Sequence, residues 1–197
     1  GYCESIAFGA AQLQPLFEKA IELGLHIRLH SDQFSNGGGS VMAAGLGALS
    51  CDHLEHSRDE DLDALAEHKV HATLLPGAAY HLREKKVPPI DGFRERDIPM
   101  VVASDANPGS SPIFSLRTCM NMAANLFGMT STEVLEGVTR NAAAALGLED
   151  RGQLKAEQRA DFLLWEVDDP CEIVAQMGFP QPQIWHGGKP FVPLSPR

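Results

Sequence analysis

Two side chains suited to metal chemistry close two apolar runs at matching places. His30 ends the run at 25–30, and Asp105 ends the run at 100–105. In a parallel barrel the carboxyl ends of the strands open into one mouth, so two potential ligands on two strand ends, 75 positions apart (105 − 30), can share one ion. The residue types and their spacing predict a metal-dependent hydrolase.

Each residue also has a plainer explanation. A lone histidine can plug a strand end through a hydrogen bond, and Asp105 can form an Asx turn or helix cap ahead of Asn107-Pro108-Gly109. An ionised carboxylate in a buried strand must nevertheless be paired or bound to a cation to offset its desolvation. His53 ends a third run, inside Ser50-Cys51-Asp52-His53-Leu54-Glu55-His56. Beside an ion it would orient the attacking water or polarise the scissile carbonyl; otherwise Asp52, His53, Glu55 and His56 form a solvated polar cluster. Gly37-Gly38-Gly39 reads as a tight turn before a helix, because it lacks the Lys-Ser/Thr of a phosphate cradle.

The elements that would position these residues follow from periodicity. Residues 10–23 carry Leu13, Leu16, Phe17, Ala20 and Ile21 at helical spacing, with Gly24 as the stop. A small-residue helix is expected over 41–48 and a strand around 51–54. Ser57-Arg58-Asp59-Glu60 reads as a capping box opening a helix that turns Leu62, Leu65 and Ala66 inward. A third strand is predicted over 70–75, stopped by Pro76-Gly77, then a short helical stretch near Phe93 and a fourth strand over 100–104. Helices over 114–127, after a second capping box at Thr130-Ser131-Thr132-Glu133, and over 141–147 complete the pattern. Strand composition returns at 152–154, 160–165 and 183–186. Strands alternating with helices argue for parallel βα units. Four units make half of an eight-stranded barrel, which takes about 250 residues, so the 197-residue chain is expected to be an α/β carboxyl-terminal half-barrel with a small β tail.

Composition narrows the partners. A chain that is 44% hydrophobic and 21% charged is ordinary globular protein. Its 26 acidic against 16 basic residues, a net charge of −10, argue against a nucleic-acid or anionic-membrane surface and favour a small-molecule substrate. No apolar run approaches the roughly 20 residues that cross a bilayer. Four scattered cysteines fit a reducing cytoplasm and are expected as buried small apolar residues.

These motifs resemble the carboxyl-terminal half of the imidazolonepropionases, a family of the amidohydrolase superfamily. The specific pieces are Cys3-Glu4, Leu29-His30-Ser31-Asp32-Gln33, Gly38-Gly39, the stretch from Leu49 to Glu55, Leu74-Leu75-Pro76-Gly77-Ala78, and Ser104-Asp105-Ala106-Asn107-Pro108-Gly109-Ser110. The resemblance implies βα units five to eight of a TIM-type barrel with the following helices in residues 1–147, and the carboxyl-terminal part of a flanking β-sandwich in 148–197. It implies a cytoplasmic enzyme of histidine degradation that opens 4-imidazolone-5-propanoate to N-formimino-L-glutamate by cleaving a cyclic amide C–N bond. One zinc or iron ion is implied, held by a His-x-His pair on the first barrel strand, a histidine on the fifth and an aspartate on the eighth; the last two fall on His30 and Asp105. By the same carry-over His53 and Asp105 are catalytic, and Gln33, Asn107, Gly109 and Ser110 contact substrate or product. Gln33 stands where some members have glutamate, and an amide cannot accept a proton as a base. No His-x-His occurs among the eight histidines of this chain, so the other two ligands and the propionate-binding arginine are expected from an amino-terminal half. A homodimer is expected. The alternatives are a heterocycle deaminase on the same fold, or a non-catalytic half-barrel whose two open sheet edges pair with another chain.

Overall fold

Leu29, Cys51, Ala72, Leu74 and Val102 are almost wholly buried although each lies in a run of only a few apolar residues. Runs that short bury themselves by pairing side by side under a cover of helices. The computed structural model describes residues 1–178 and 180–191; Phe179 and residues 192–197, the end of the stretch expected to form the β tail, lie outside them.

In chain order the elements are β1 (Tyr2–Cys3), α1 (Ala10–Glu22), β2 (Arg28–Ser31), α2 (Gly39–Gly45), β3 (Ser50–His53), α3 (Asp59–Glu67), β4 (His71–Leu74), α4 (Pro76–Leu82), α5 (Ile90–Glu95), β5 (Met100–Val102), α6 (Leu116–Phe127), α7 (Ser131–Gly137), α8 (Arg140–Ala145), β6 (Phe162–Leu164), α9 (Cys171–Ala175), β7 (Gln183–His186) and β8 (Lys189–Phe191). The first sheet runs β1-β2-β3-β4-β5, all parallel; the second, β6-β7-β8, is antiparallel. The α/β half-barrel expected from the sequence is present. Its sheet has five parallel strands where four were expected, because two-residue β1 is too short to show a periodicity. Residues 152–154 form no strand. No helix among the described residues is long and apolar enough to cross a membrane.

Local chemistry explains most element ends. Gly24, Gly128 and Gly147 leave α1, α6 and α8 in the left-handed conformation that lacks a steric penalty only for glycine. The capping box at Thr130 forms as predicted: its amide donates to Glu133 Oε2 at 2.7 Å, and the Glu133 amide donates to Thr130 Oγ1 at 3.2 Å. The box predicted at Ser57 does not. The cap moves one residue on, with the Arg58 amide donating to Asp61 Oδ2 at 2.8 Å, because Ser57 Oγ is engaged by Asp32 Oδ2 at 2.9 Å. Pro76 opens α4 instead of only ending a strand, since a proline at the first helical position gives up no needed amide bond.

Helices partly cover one sheet edge. Pro99 O and Ala103 N bond to β4, so the Met100 carbonyl faces away from the sheet. Asn141 Nδ2 of α8 donates to it at 2.9 Å, and Gly137 of α7 lies so near that a Cβ would sit 3.2 Å from the same oxygen. Of the two edges expected to be open, the one at β5 is thus partly covered by α7 and α8. The tail is fastened to the half-barrel by Arg117 of α6, which donates to the carbonyls of Ile173 and Pro180 and lies over the Trp165 ring at 4.8 Å. Cys3, Cys51 and Cys119 are buried as expected, whereas Cys171 is exposed at the start of α9.

Candidate metal centre

The parallel ladder points the carboxyl ends of β2, β3 and β5 the same way, and each end is made by a non-glycine residue in the left-handed conformation. Asp32 has φ 59°, His53 and Leu54 have 81° and 71°, and Asp105 has 49°. Left-handed backbone costs an L-residue about 1–2 kcal/mol, and such strain gathers where a side chain must be aimed. Three of the other such residues, Lys69, Arg83 and Asp97, merely end helices. Backbone bonds from Leu54 N to Ser31 O (3.1 Å) and His56 N to Asp32 O (2.7 Å) hold the strained turn against the end of β2.

His30 is the middle of the cluster. Its ring leans on Tyr2 and His53, with centroids 4.1 and 4.2 Å apart. Its Nε2 lies 3.4 Å from Glu4 Oε1 but is buried without a hydrogen bond. Burial pushes Glu4 up, yet the His30 imidazole and the amides of Gln33 and Phe34 outweigh it and hold the carboxylate below its ordinary range. The Gln33 amide donates to Glu4 Oε1 at 2.5 Å, which tethers the loop after β2 to the end of β1. Gln33 is buried, and its side-chain Nε2 has no partner, leaving two donors free.

His53 is also buried, at 3% exposure, and burial with the charge of His30 pushes its imidazole down to about 3. It is not part of a solvated polar cluster, because Glu55 beside it is only 1% exposed. Burial pushes Glu55 up to about 8, assisted by the charges of Glu84, Glu4 and Asp32. Asp32 is raised by burial as well, but it is fully engaged, accepting from Ser40 Oγ at 2.7 Å and Ser57 Oγ at 2.9 Å.

Asp105 is half-buried. Burial raises its carboxyl, while Asn107, the charge of His30 and Ser110 pull against that rise, so the imidazole on β2 acts electrostatically on the carboxylate after β5. The following loop is organised by Asn107. Its Nδ2 donates to Asp105 O at 2.7 Å, and its Oδ1 accepts from the amides of Gly109 (2.9 Å) and Ser110 (2.7 Å). The structure thus brings His30, Gln33 and His53 into one cluster and sets Asp105 within reach of its charge. Asn107, Gly109 and Ser110 bond within their own loop. Among the described residues no group of three or more His, Cys, Asp or Glu side chains could hold a metal ion. Glu4 and Glu55 were not among the residues predicted for the site. Glu4 follows a strand too short to register, and Glu55 lies in a run whose four polar residues look solvated until the turn buries them.

Comparison with known proteins adds the family. The amidohydrolase family model matches residues 4–182. The chain belongs to the amidohydrolase family. Within known sequences it is 50% identical over 190 residues to the imidazolonepropionase of Mesorhizobium japonicum, covering 95% of this chain and 46% of that protein. It is 51% identical over 179 residues to the imidazolonepropionase of Roseobacter denitrificans, covering 91% and 45%. The chain therefore spans a little under half the length of these amidohydrolase relatives. Among solved structures it is similar to a zinc-bound adenosine deaminase from Xanthomonas campestris, at a TM-score of 0.76 and 16% identity over 94% of this chain and 49% of that one. It is also similar to a zinc complex of atrazine chlorohydrolase from Arthrobacter aurescens, at 0.71 and 17% over 96% and 49%. At such identities these neighbours establish the amidohydrolase fold alone.

Proposed function

We propose that this chain is the metal-binding carboxyl half of an imidazolonepropionase, a cytoplasmic enzyme that hydrolyses the cyclic amide bond of 4-imidazolone-5-propanoate to N-formimino-L-glutamate. One observation carries the proposal: a buried imidazole nitrogen that makes no hydrogen bond stands at the end of β2, 3.4 Å from the Glu4 carboxylate, in a chain 50% identical over 190 residues to an enzyme of that name. Residues 1–147 would form the barrel half and 148–197 part of the second domain.

The donors fit one zinc or iron ion. His30 Nε2 is buried without a hydrogen bond, and an imidazole with a carboxylate is a donor set both metals accept. His30 and Asp105 would supply two ligands, and the remaining two would come from the upstream half. When bound, the cation acts as a Lewis acid and lowers the pKa of water toward neutrality. The rest falls to the chain's own groups. Asp105 takes the proton from the attacking water and passes it to the ring nitrogen as the C–N bond breaks. His53, neutral at pH 7, donates a hydrogen bond to the carbonyl oxygen as charge gathers there. Gln33 turns its free amide donors to the substrate; it binds but takes no proton. Asn107 keeps Gly109 and Ser110 in place, so their polar groups form the wall beside Asp105.

The test is an assay of the enzyme containing this chain, following ring opening of imidazolone propionate beside ammonia release from aminated heterocycles. Ring opening supports the proposal. Ammonia release without ring opening would assign the chain to a deaminase.

A further inference from the structure

Glu4 is a carboxylate buried with no lysine or arginine beside it. Its side chain is wholly shielded from solvent, and among the described residues its one ion-pair neighbour is His30, whose Nε2 stands 3.4 Å from Glu4 Oε1. One short hydrogen bond reaches it, from the Gln33 amide to Oε1 at 2.5 Å; the Phe34 amide lies 3.4 Å from both oxygens, and Ser35 Oγ lies 3.4 Å from Oε2. A carboxylate is costly to bury unless it is paired or coordinates a metal. His30 Nε2 is in matching need, buried with no hydrogen bond. A separation of 3.4 Å does not itself forbid such a bond, so direction does: Oε1 stands to the side of the axis along which a ring N–H would point. Two ligands of one ion stand in that relation. Each donor aims at the ion and not at the other donor, and bonds of about 2.0–2.2 Å hold neighbouring donors roughly 3–3.6 Å apart. The fold supplies the approach: β1 and β2 pair in parallel with Tyr2 opposite His30, so the chain leaving β1 at Glu4 comes out beside the end of β2.

We propose that Glu4 is a further ligand of the cation, bound through Oε1 beside His30 Nε2. The inference rests on the metal-dependent function proposed above and adds to it a donor from the end of β1, where no ligand was expected. A carboxylate oxygen has two acceptor sites; the Gln33 amide takes one on Oε1 and leaves the other for the ion. Beside His30, Asp105 and the upstream pair, Glu4 is a fifth donor, a coordination number that zinc takes up at catalytic sites. The carboxylates of Glu4 and Asp105 together balance the charge of a divalent ion, so neither the ion nor Glu4 is left uncompensated in the interior.

Anomalous diffraction from crystals of the zinc-loaded enzyme containing this chain locates the ion against both side chains, and a cobalt(II) titration of its Glu4→Gln variant measures what the carboxylate contributes. Glutamine keeps an acceptor for the Gln33 amide, so the loop stays tied while the charge is removed. The expected results are Glu4 Oε1 and His30 Nε2 both about 2.0–2.2 Å from the zinc, and a cobalt affinity weaker by about tenfold or more in the variant. Far-UV circular dichroism reports whether the variant folds; if it does not, the ion position in the wild type decides alone. Zinc on His30 with both Glu4 oxygens beyond about 3 Å, or an unchanged cobalt affinity in a folded variant, overturns the proposal and leaves the metal-dependent function standing. Zinc bound away from His30, or no zinc bound, overturns both.

Discussion

His30 and Glu4 face each other across neighbouring strand ends, Nε2 to Oε1 at 3.4 Å, with no hydrogen bond between them. Glu4 meanwhile accepts the Gln33 amide at 2.5 Å. The carboxylate therefore ties the loop after β2 to β1 and holds negative charge beside the imidazole that would bind the cation. Glu4→Ala leaves buried amides of that loop unpaired and should destabilise the protein by about 2–3 kcal/mol, measured by urea denaturation. Glu4→Gln, which keeps an acceptor, should cost clearly less; equal losses would show that the hydrogen bonds are not what matters.

Gly77 lets α4 approach the loop after Asp105. A Cβ there would meet Ser111 Oγ at 2.6 Å, and Ser111 cannot swing away freely because Oγ donates to Ser104 O at 2.6 Å. Gly77→Ala should destabilise by about 1–3 kcal/mol and displace the Asp105 loop, seen as a loss of cation affinity exceeding the loss of stability. Gly39→Ala, which would press on Cys3 Sγ at 2.7 Å, should cost similar stability but spare that loop.

The buried Glu55 makes stability depend on pH. Its folded pKa of about 8 stands above the ordinary 4.5, so its protonated form favours the fold below about pH 4.5 and that contribution is lost as pH rises through 8. Glu55→Gln removes the titration. It should match the wild type near pH 4 and be more stable by on the order of 2 kcal/mol at pH 8; denaturation midpoints across that range that run parallel would refute it.

Glu133 works in the opposite direction. The Arg94 guanidinium, 2.7 Å away, holds it down at about 2 against an ordinary 4.5. Its contribution is present above about pH 4.5 and fades as pH falls toward 2. Glu133→Gln should cost about 1 kcal/mol at pH 7 after screening and nothing at pH 2, checked by thermal melts at the two pH values.

How far the sequence could be read follows from the length scale of each signal. The parallel half-barrel was legible because its strands are apolar runs set between amphipathic helices, as in α1 with Leu13 and Phe17 inward. His30, His53 and Asp105 were legible because each ends such a run. Glu4 was hidden, since β1 has two residues and no period. Glu55 was hidden because its burial depends on the left-handed turn at His53 and Leu54, a conformation that leaves no mark in residue type. The misplaced cap of α3 has the same origin: Ser57 looks like a cap until Asp32, 25 residues away, claims its hydroxyl.

The most direct test of the shared cation is a cobalt(II) titration followed by visible absorption, on the enzyme containing this chain and on its His30→Ala and Asp105→Ala variants. Saturable binding of one ion, weakened by about tenfold or more in each variant through loss of a ligand, is the expected result. An affinity and spectrum unchanged in both variants would contradict the account.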